Sequence, residues 1–176
     1  MSRPFAAVLV SMAAAGLIRL VGNRPGWREA CTFGAAAIKF AIVASMLPTV
    51  RAGGMFESAP LELLPGFSLH LRADPLGLLF ALLASALWII TSVYSVGYMR
   101  AGNNPNQTGY FASFAVCLSA TIGIAFAANL ATFFVFYEIL AVATYPLVAH
   151  NRTPEARAGG RTYLVYTLVA GQALLL

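Results

Sequence analysis

Residues Tyr110 to His150 read YFASFAVCLSATIGIAFAANLATFFVFYEILAVATYPLVAH, and Glu138 is the only formally charged side chain in those 41 positions. A bilayer core about 30 Å thick is crossed by about 20 mainly apolar residues. The stretch is therefore long enough for two crossings. Asn129 is the strongly polar residue near its midpoint and suits a tight turn, which predicts spans over 110–127 and 130–149. Working outward, residues 76–99 form a third apolar run without any charge. Residues 30–50 hold one charge, Lys39, and residues 4–20 close on Arg19. A last run covers 162–176. The expected fold is all-α: a single transmembrane domain over 1–176, a polytopic bundle of about six spans.

The composition agrees. Of the 176 residues, 60% are hydrophobic and 10% charged, against about 45–50% and about 25% in an average soluble domain. Such a chain lacks the polar surface to cover a soluble fold, which excludes an ordinary cytosolic domain, a disordered chain and a nucleic-acid binder. The net charge of +5 comes from 11 basic residues scattered singly, with no basic stripe to track phosphates. A cleavable signal reading of Arg3, the apolar run and Met12-Ala13-Ala14-Ala15 competes with a retained first span. The further spans and the early Arg19 favour retention.

Asp74 is expected to cap the span over 76–99, with Pro75 at the first helical position. The one long connection, Arg51 to Arg72, contains Gly53, Gly54, Pro60, Pro65 and Gly66. Between these breakers Leu61-Glu62-Leu63-Leu64 and Phe67-Ser68-Leu69-His70-Leu71-Arg72 carry strand-like alternation. They predict a short hairpin on the membrane surface between spans two and three.

Orientation follows from counting Lys and Arg in the short loops. Arg24, Arg28, Arg100, Arg152, Arg157 and Arg161 fall on one side, Arg3, Arg51 and Arg72 on the other. The count places the N-terminus outside and the 151–161 loop in the cytoplasm, in what reads as a bacterial inner membrane.

If the fifth span starts at Asn129, Glu138 lies about 14 Å inside it, near the bilayer midplane. A charge there costs at least about 2.5–3.5 kcal/mol, and burial eases protonation of a carboxyl. A carboxyl that loads and releases protons is what a proton path needs, and Ser, Thr, Asn or Gln could not replace it. Helical spacing adds Phe134, Val142 and Tyr145 to its face. Pro146 frees the Val142 carbonyl, which can hold a water. The competing reading is a static ion pair that locks helix packing. Lys39 is the other mid-span charge. It is a partner for Glu138, a partner for an acid in a neighbouring subunit, or a side chain reaching an interface by helix tilt. His150 can pass protons at the cytoplasmic mouth; His70 and His150 otherwise read as interfacial. Trp27 and Tyr110 read as interfacial anchors, Gly97 and Gly123 as close helix contacts, Cys31 and Cys117 as buried thiols. No metal-ligand spacing, phosphate loop, nucleophile elbow, haem motif or flavin fingerprint appears. The sequence therefore suggests no metal, no cofactor and no catalytic centre of its own.

Three segments carry a family resemblance. Asp74-Pro75-Leu76-Gly77-Leu78-Leu79-Phe80 resembles the start of the third helix of antiporter-like subunits, the large membrane subunits shared by respiratory complex I, Mrp-type cation/proton antiporters and membrane-bound hydrogenases. Asn129 to Glu138 resembles that family's fifth helix, with its essential glutamate at Glu138. Ala156-Arg157-Ala158-Gly159-Gly160-Arg161-Thr162-Tyr163-Leu164 resembles the start of its sixth. Together they cover about residues 74–176; the first two helices match in number and hydropathy only. The resemblance implies proton translocation, or cation/proton antiport, within a hetero-oligomeric complex such as a proton-pumping NADH-quinone oxidoreductase. It implies an outward N-terminus, protons and sodium as transported ions, and a lysine on a seventh helix as partner of Glu138. Lys39 is not a motif position. With about 15 residues after Arg161, or about 22 Å of helix, the last span reads as the front part of a longer subunit. The proton path is expected to use Glu138, Lys39, Tyr145 and His150. Rival expectations are a non-conducting membrane anchor of such a complex, and a small dimeric proton-coupled exporter.

Overall fold

The computed structural model describes residues 2–64, 67–102, 106–150 and 153–175. Helix α1 covers Arg3–Leu20, α2 Pro25–Ala44 and the short α3 Leu47–Arg51. All three carry a proline in the first turn, where its missing N–H costs nothing. Pro48 cannot donate to the Ala44 carbonyl, and the helix breaks at Ser45 and Met46. The Arg3 guanidinium donates to the Ser45 carbonyl at 2.8 Å. The expected span over 30–50 thus begins five residues earlier, at Pro25, and is interrupted. Arg28, read as a loop charge, is inside α2 and only 5% exposed.

Gly53 turns the chain out of α3 at φ +85°, a conformation that favours glycine. Strands β1 (Phe56–Glu57), β2 (Leu61–Leu64), β3 (Phe67–Leu69) and β4 (Arg72–Ala73) follow. They pair as a nested hairpin, Leu61 opposite Leu69 and Phe56 opposite Ala73. The expected hairpin is present; Pro65 and Gly66 at its tip lie outside the described residues.

Helix α4 is Pro75–Ala101, α5 Gln107–Ala125, α6 Leu130–Val148 and α7 Pro154–Leu175. The Asp74 side chain accepts from the Gly77 N–H at 2.7 Å, and Asn129 does the same for Thr132. Asp74 was expected as a cap and Asn129 as a turn residue, and both positions hold. Asp74→Ala is expected to cost about 1 kcal/mol, read as a lower midpoint of thermal unfolding in detergent.

The buried face of α4 repeats at alternating steps of three and four: Leu78, Ala81, Ser85, Trp88, Ser92, Ser95 and Met99. Its opposite face exposes Leu79, Leu83, Leu87, Ile90 and Tyr94. The small and hydroxyl residues of this helix, Ala81, Ser85, Ser92 and Ser95, are inside, beside Leu78, Trp88 and Met99, while large apolar residues cover the outside, the pattern of a helix packed in lipid. Among the described residues, five helical segments are long and apolar enough to cross a membrane: Arg3–Leu20, Pro25–Arg51, Pro75–Ala101, Gln107–Ala125 and Leu130–Val148. The chain is an all-α, multi-pass membrane protein. Helix α7 starts eight residues before the expected 162, carries Glu155, Arg157 and Arg161 in its first turns, and is not among the five.

Helix α5 is the centre of the bundle and packs on α1, α4 and α6; α2 bridges α1 and α4, and α7 lies along α6. At one end of the bundle, the hairpin is tied to the α5–α6 turn. The Arg72 N–H donates to the Phe126 carbonyl, and the Ala128 N–H to that of His70. Asn129 Nδ2 donates to the Ser68 carbonyl, and the His70 N–H to Thr132 Oγ1. The opposite end, the connection end, gathers the start of α2, the end of α4, the start of α5 and the end of α6.

Candidate functional site

Glu138 is the ninth residue of the 19-residue α6, about 12 Å from its first residue. It lines a groove of about 660 Å³ whose walls come from α1 (Met12, Ala15, Gly16, Arg19), α5 (Ala112, Ser113, Val116) and α6. Val142 and Pro146 share the groove with Glu138; Phe134 and Tyr145, expected on the same face, do not line it. The groove lies where α1 and α6 diverge over α5. Glu138 Oε1 is buried with no hydrogen-bond partner among the described residues. It sits against α7, where a Cβ added to Gly171 would come within 2.8 Å of it. Among the described residues no ion pair reaches Glu138, from Arg19 or from any other base.

Tyr145 and His150 line a second cavity of about 260 Å³ with Asn106, Pro146, Ala149 and Arg157. Pro146 is common to both cavities. The second cavity leads from the level of Pro146 to the connection end. His150 is not an open interfacial side chain: both ring nitrogens are buried and unpaired among the described residues, and the ring meets Tyr110 edge-on at 5.7 Å. His70 contacts Glu57 at 4.0 Å at the hairpin end.

Lys39 is completely buried in α2. Its Nζ donates to the Leu118 carbonyl of α5 at 3.1 Å and lies 4.7 Å from the centre of the Trp88 ring. The structure does not pair it with Glu138, and it does not reach an interface. A ring face and a carbonyl take the place of an acid, because α4 and α5 present no carboxylate there.

Other expectations need correction. Tyr110, read as an interfacial anchor, is half-buried in the first turns of α5, and its hydroxyl lies 3.3 Å from Ser95 Oγ. Trp27 is 64% exposed, as an anchor is. Gly123 does permit close contact, because a Cβ there would overlap the Phe136 ring, whereas Gly97 faces open space. Cys117 is buried and Cys31 only partly so. Among the described residues no group of His, Cys, Asp or Glu could hold a metal.

Two features went unread in the sequence. Arg100 binds Glu29 through two bonds, its Nε donating at 3.0 Å, while Arg28 donates to Gln107 Oε1 at 2.7 Å and lies 3.8 Å from Glu29. This cluster joins α2, α4 and α5 at the connection end. The glycines of α7 form the second: Gly160 packs on Tyr145 and Gly171 on Tyr137 and Glu138. Their spacing of 11 residues, about three helical turns, was the available signal. Gly171→Val is expected to push α7 off α6 and cost about 1–3 kcal/mol, read by thermal unfolding in detergent.

No family model matches the chain. It is 28% identical over 142 residues to a probable K(+)/H(+) antiporter subunit of the A/B type from Rhizobium meliloti, covering 79% of this chain and 14% of the relative. It is 27% identical over 140 residues to the A1 subunit of a Na(+)/H(+) antiporter from Staphylococcus aureus, covering 77% and 17%. The chain thus spans about a sixth of the length of these curated relatives. Among solved structures, the membrane-bound sulfane sulfur reductase, an archaeal respiratory membrane complex, holds a chain matching 96% of this one with a TM-score of 0.77 at 19% identity. That match covers 26% of the neighbour and establishes the shared fold. The family resemblance agrees with these relatives, which are antiporter subunits, and with the fold of the respiratory-complex chain.

Proposed function

We propose that this chain is the helical core of a cation/proton antiporter-type membrane subunit in a complex I-like or Mrp-type assembly, and that Glu138 carries protons in it. The observation that supports this most is the buried, unpaired Oε1 of Glu138 at the centre of α6, on the wall of a groove, with no partner among the described residues. An isolated carboxylate in a low-dielectric bundle is costly. Taking up a proton relieves that cost, and returning it to a neighbouring water completes a transfer. The second cavity supports Tyr145 and His150 as the next groups, with Pro146 between the two spaces. Lys39 belongs to the same proposed proton machinery without contacting Glu138.

The reading includes other membrane subunits as partners, covering the apolar groove and the outer face of α4. It places the protein in a bacterial cell membrane with the hairpin end outside. The distribution of charge supports that orientation: Arg24, Arg28, Arg100 and Arg157 flank the connection end, whereas Arg3, Arg51 and Arg72 flank the hairpin end. The chain supplies no redox cofactor in this reading. The test is proton flux in proteoliposomes containing the assembled complex, with Glu138 intact or as Glu138→Gln. Lost flux with retained assembly supports the proposal, and unchanged flux overturns it.

A further inference from the structure

The core of α1, α2, α4 and α5 holds four buried polar atoms without a hydrogen-bond partner among the described residues: Ser85 Oγ, Trp88 Nε1 and Ser92 Oγ on α4, and Ser11 Oγ on α1. Hydroxyls in membrane helices often bond their own backbone one turn back. Thr32, Thr91 and Thr121 do so here. The three serines do not, so their hydroxyls stay available to something else. Trp88 sits between Ser85 and Ser92 on one face of α4, with the Lys39 amine 4.7 Å from its ring. Unpaired polar atoms clustered in a core are normally satisfied by ordered water.

The cluster is also directional. Towards the connection end, Ser92 is followed on the same face by Ser95, whose Oγ lies 3.3 Å from the Tyr110 hydroxyl, and the Tyr110 ring touches His150. Towards the hairpin end the same face continues as Ser85, then the apolar Ala81 and Leu78, and Gly77 closes it against the Ala125 carbonyl. Two independent helices agree on the depth. Lys39 lies 14 residues into α2 from Pro25, and Trp88 lies 13 residues from Ala101 at the end of α4. At about 1.5 Å per residue these are about 21 Å and about 20 Å from the connection end, and about 18 Å and about 20 Å from the hairpin end at Arg51 and Pro75. None of the residues lining the Glu138 groove comes from α2 or α4.

We propose that Lys39 borders a hydrated file of hydroxyls running past Ser92, Ser95 and Tyr110 towards the connection end, so that its amine exchanges protons with water through that file. This is a second proton-binding site, apart from the Glu138 groove. The ligand is water carrying a proton. The Trp88 face and the Leu118 carbonyl hold the amine in place of a carboxylate, and no ion pair reaches Nζ among the described residues.

Lys39 is the single lysine of the chain, so lysine labelled with 15N at Nζ gives one side-chain signal from the whole protein in lipid nanodiscs. Magnetic resonance then measures how fast its protons exchange with water, with no ion gradient present. The result stands or falls independently of antiport. Exchange is expected in the unmodified chain, slowed at least about tenfold by Ser92→Ala and by Tyr110→Phe. Absence of water exchange in the unmodified chain overturns the proposal without any variant. Wild-type exchange rates in both folded variants, verified by an unchanged unfolding midpoint, overturn it as well.

Discussion

Proton flux through proteoliposomes is expected to fall by about a hundredfold or more when Glu138 becomes Gln, the scale on which a positioned proton-transfer group acts. Glutamine keeps the volume and the hydrogen-bonding capacity of the side chain but cannot bind and release a proton. Formation of the complex, read by native electrophoresis, is expected to stay intact. The unfolding midpoint is expected to hold or rise, because the variant removes a carboxylate whose Oε1 has no partner among the described residues. The combination is diagnostic. A side chain that only locked packing would lose stability with its charge and leave flux proportional to the assembled complex. Flux at the unmodified level sinks the proton-carrying role outright. A passive membrane anchor predicts that result.

The second large effect is at the connection end, and it is one of stability. Glu29→Ala is expected to cost about 3 kcal/mol, at the low end of what breaking a buried ion pair costs. The variant leaves the Arg28 guanidinium, 5% exposed, without its countercharge, although the bond to Gln107 survives. Arg100→Ala is expected to cost less than about 1 kcal/mol, because that side chain is 59% exposed and its pairing is screened. Arg28→Met in the Glu29→Ala background is expected to restore at least half of the loss, since an apolar side chain tolerates the site that an unpaired cation does not. Thermal unfolding of the four proteins in one detergent measures the whole set. Equal losses for Glu29→Ala and Arg100→Ala would place the burial wrongly.

The sequence spoke clearly where a feature depends on a few neighbouring residues. Asp74 with Pro75, and Asn129 ahead of an apolar run, are local signals, and helices start at both. The hairpin was legible from alternation between Gly and Pro breakers. The family resemblance was legible for the same reason, because its motifs are contiguous. What stayed hidden depends on distant chain segments meeting. Arg28 looks like a loop charge until Gln107 and Thr108, some 80 positions later, arrive beside it. The meeting of Tyr110 with Ser95 is equally unwritten in the local sequence. Gly97 and Gly123 look alike in sequence, and only the position of Phe136 distinguishes them. Glu138 was found because an isolated charge in an apolar run is conspicuous. Its relation to Lys39 was not, since two charges on different helices carry no record of their mutual distance.

The strands at the hairpin end bear on motion as well as on architecture. Four hydrogen bonds clamp residues 68–72 to residues 126–132, and the last of these begin the helix that bears Glu138. A rocking of that helix must drag the ribbon with it, or break the clamp. A nanobody gripping the ribbon would thus act as a brake on the carboxylate from outside the lipid, and a dye placed there would serve as a gauge of its movement.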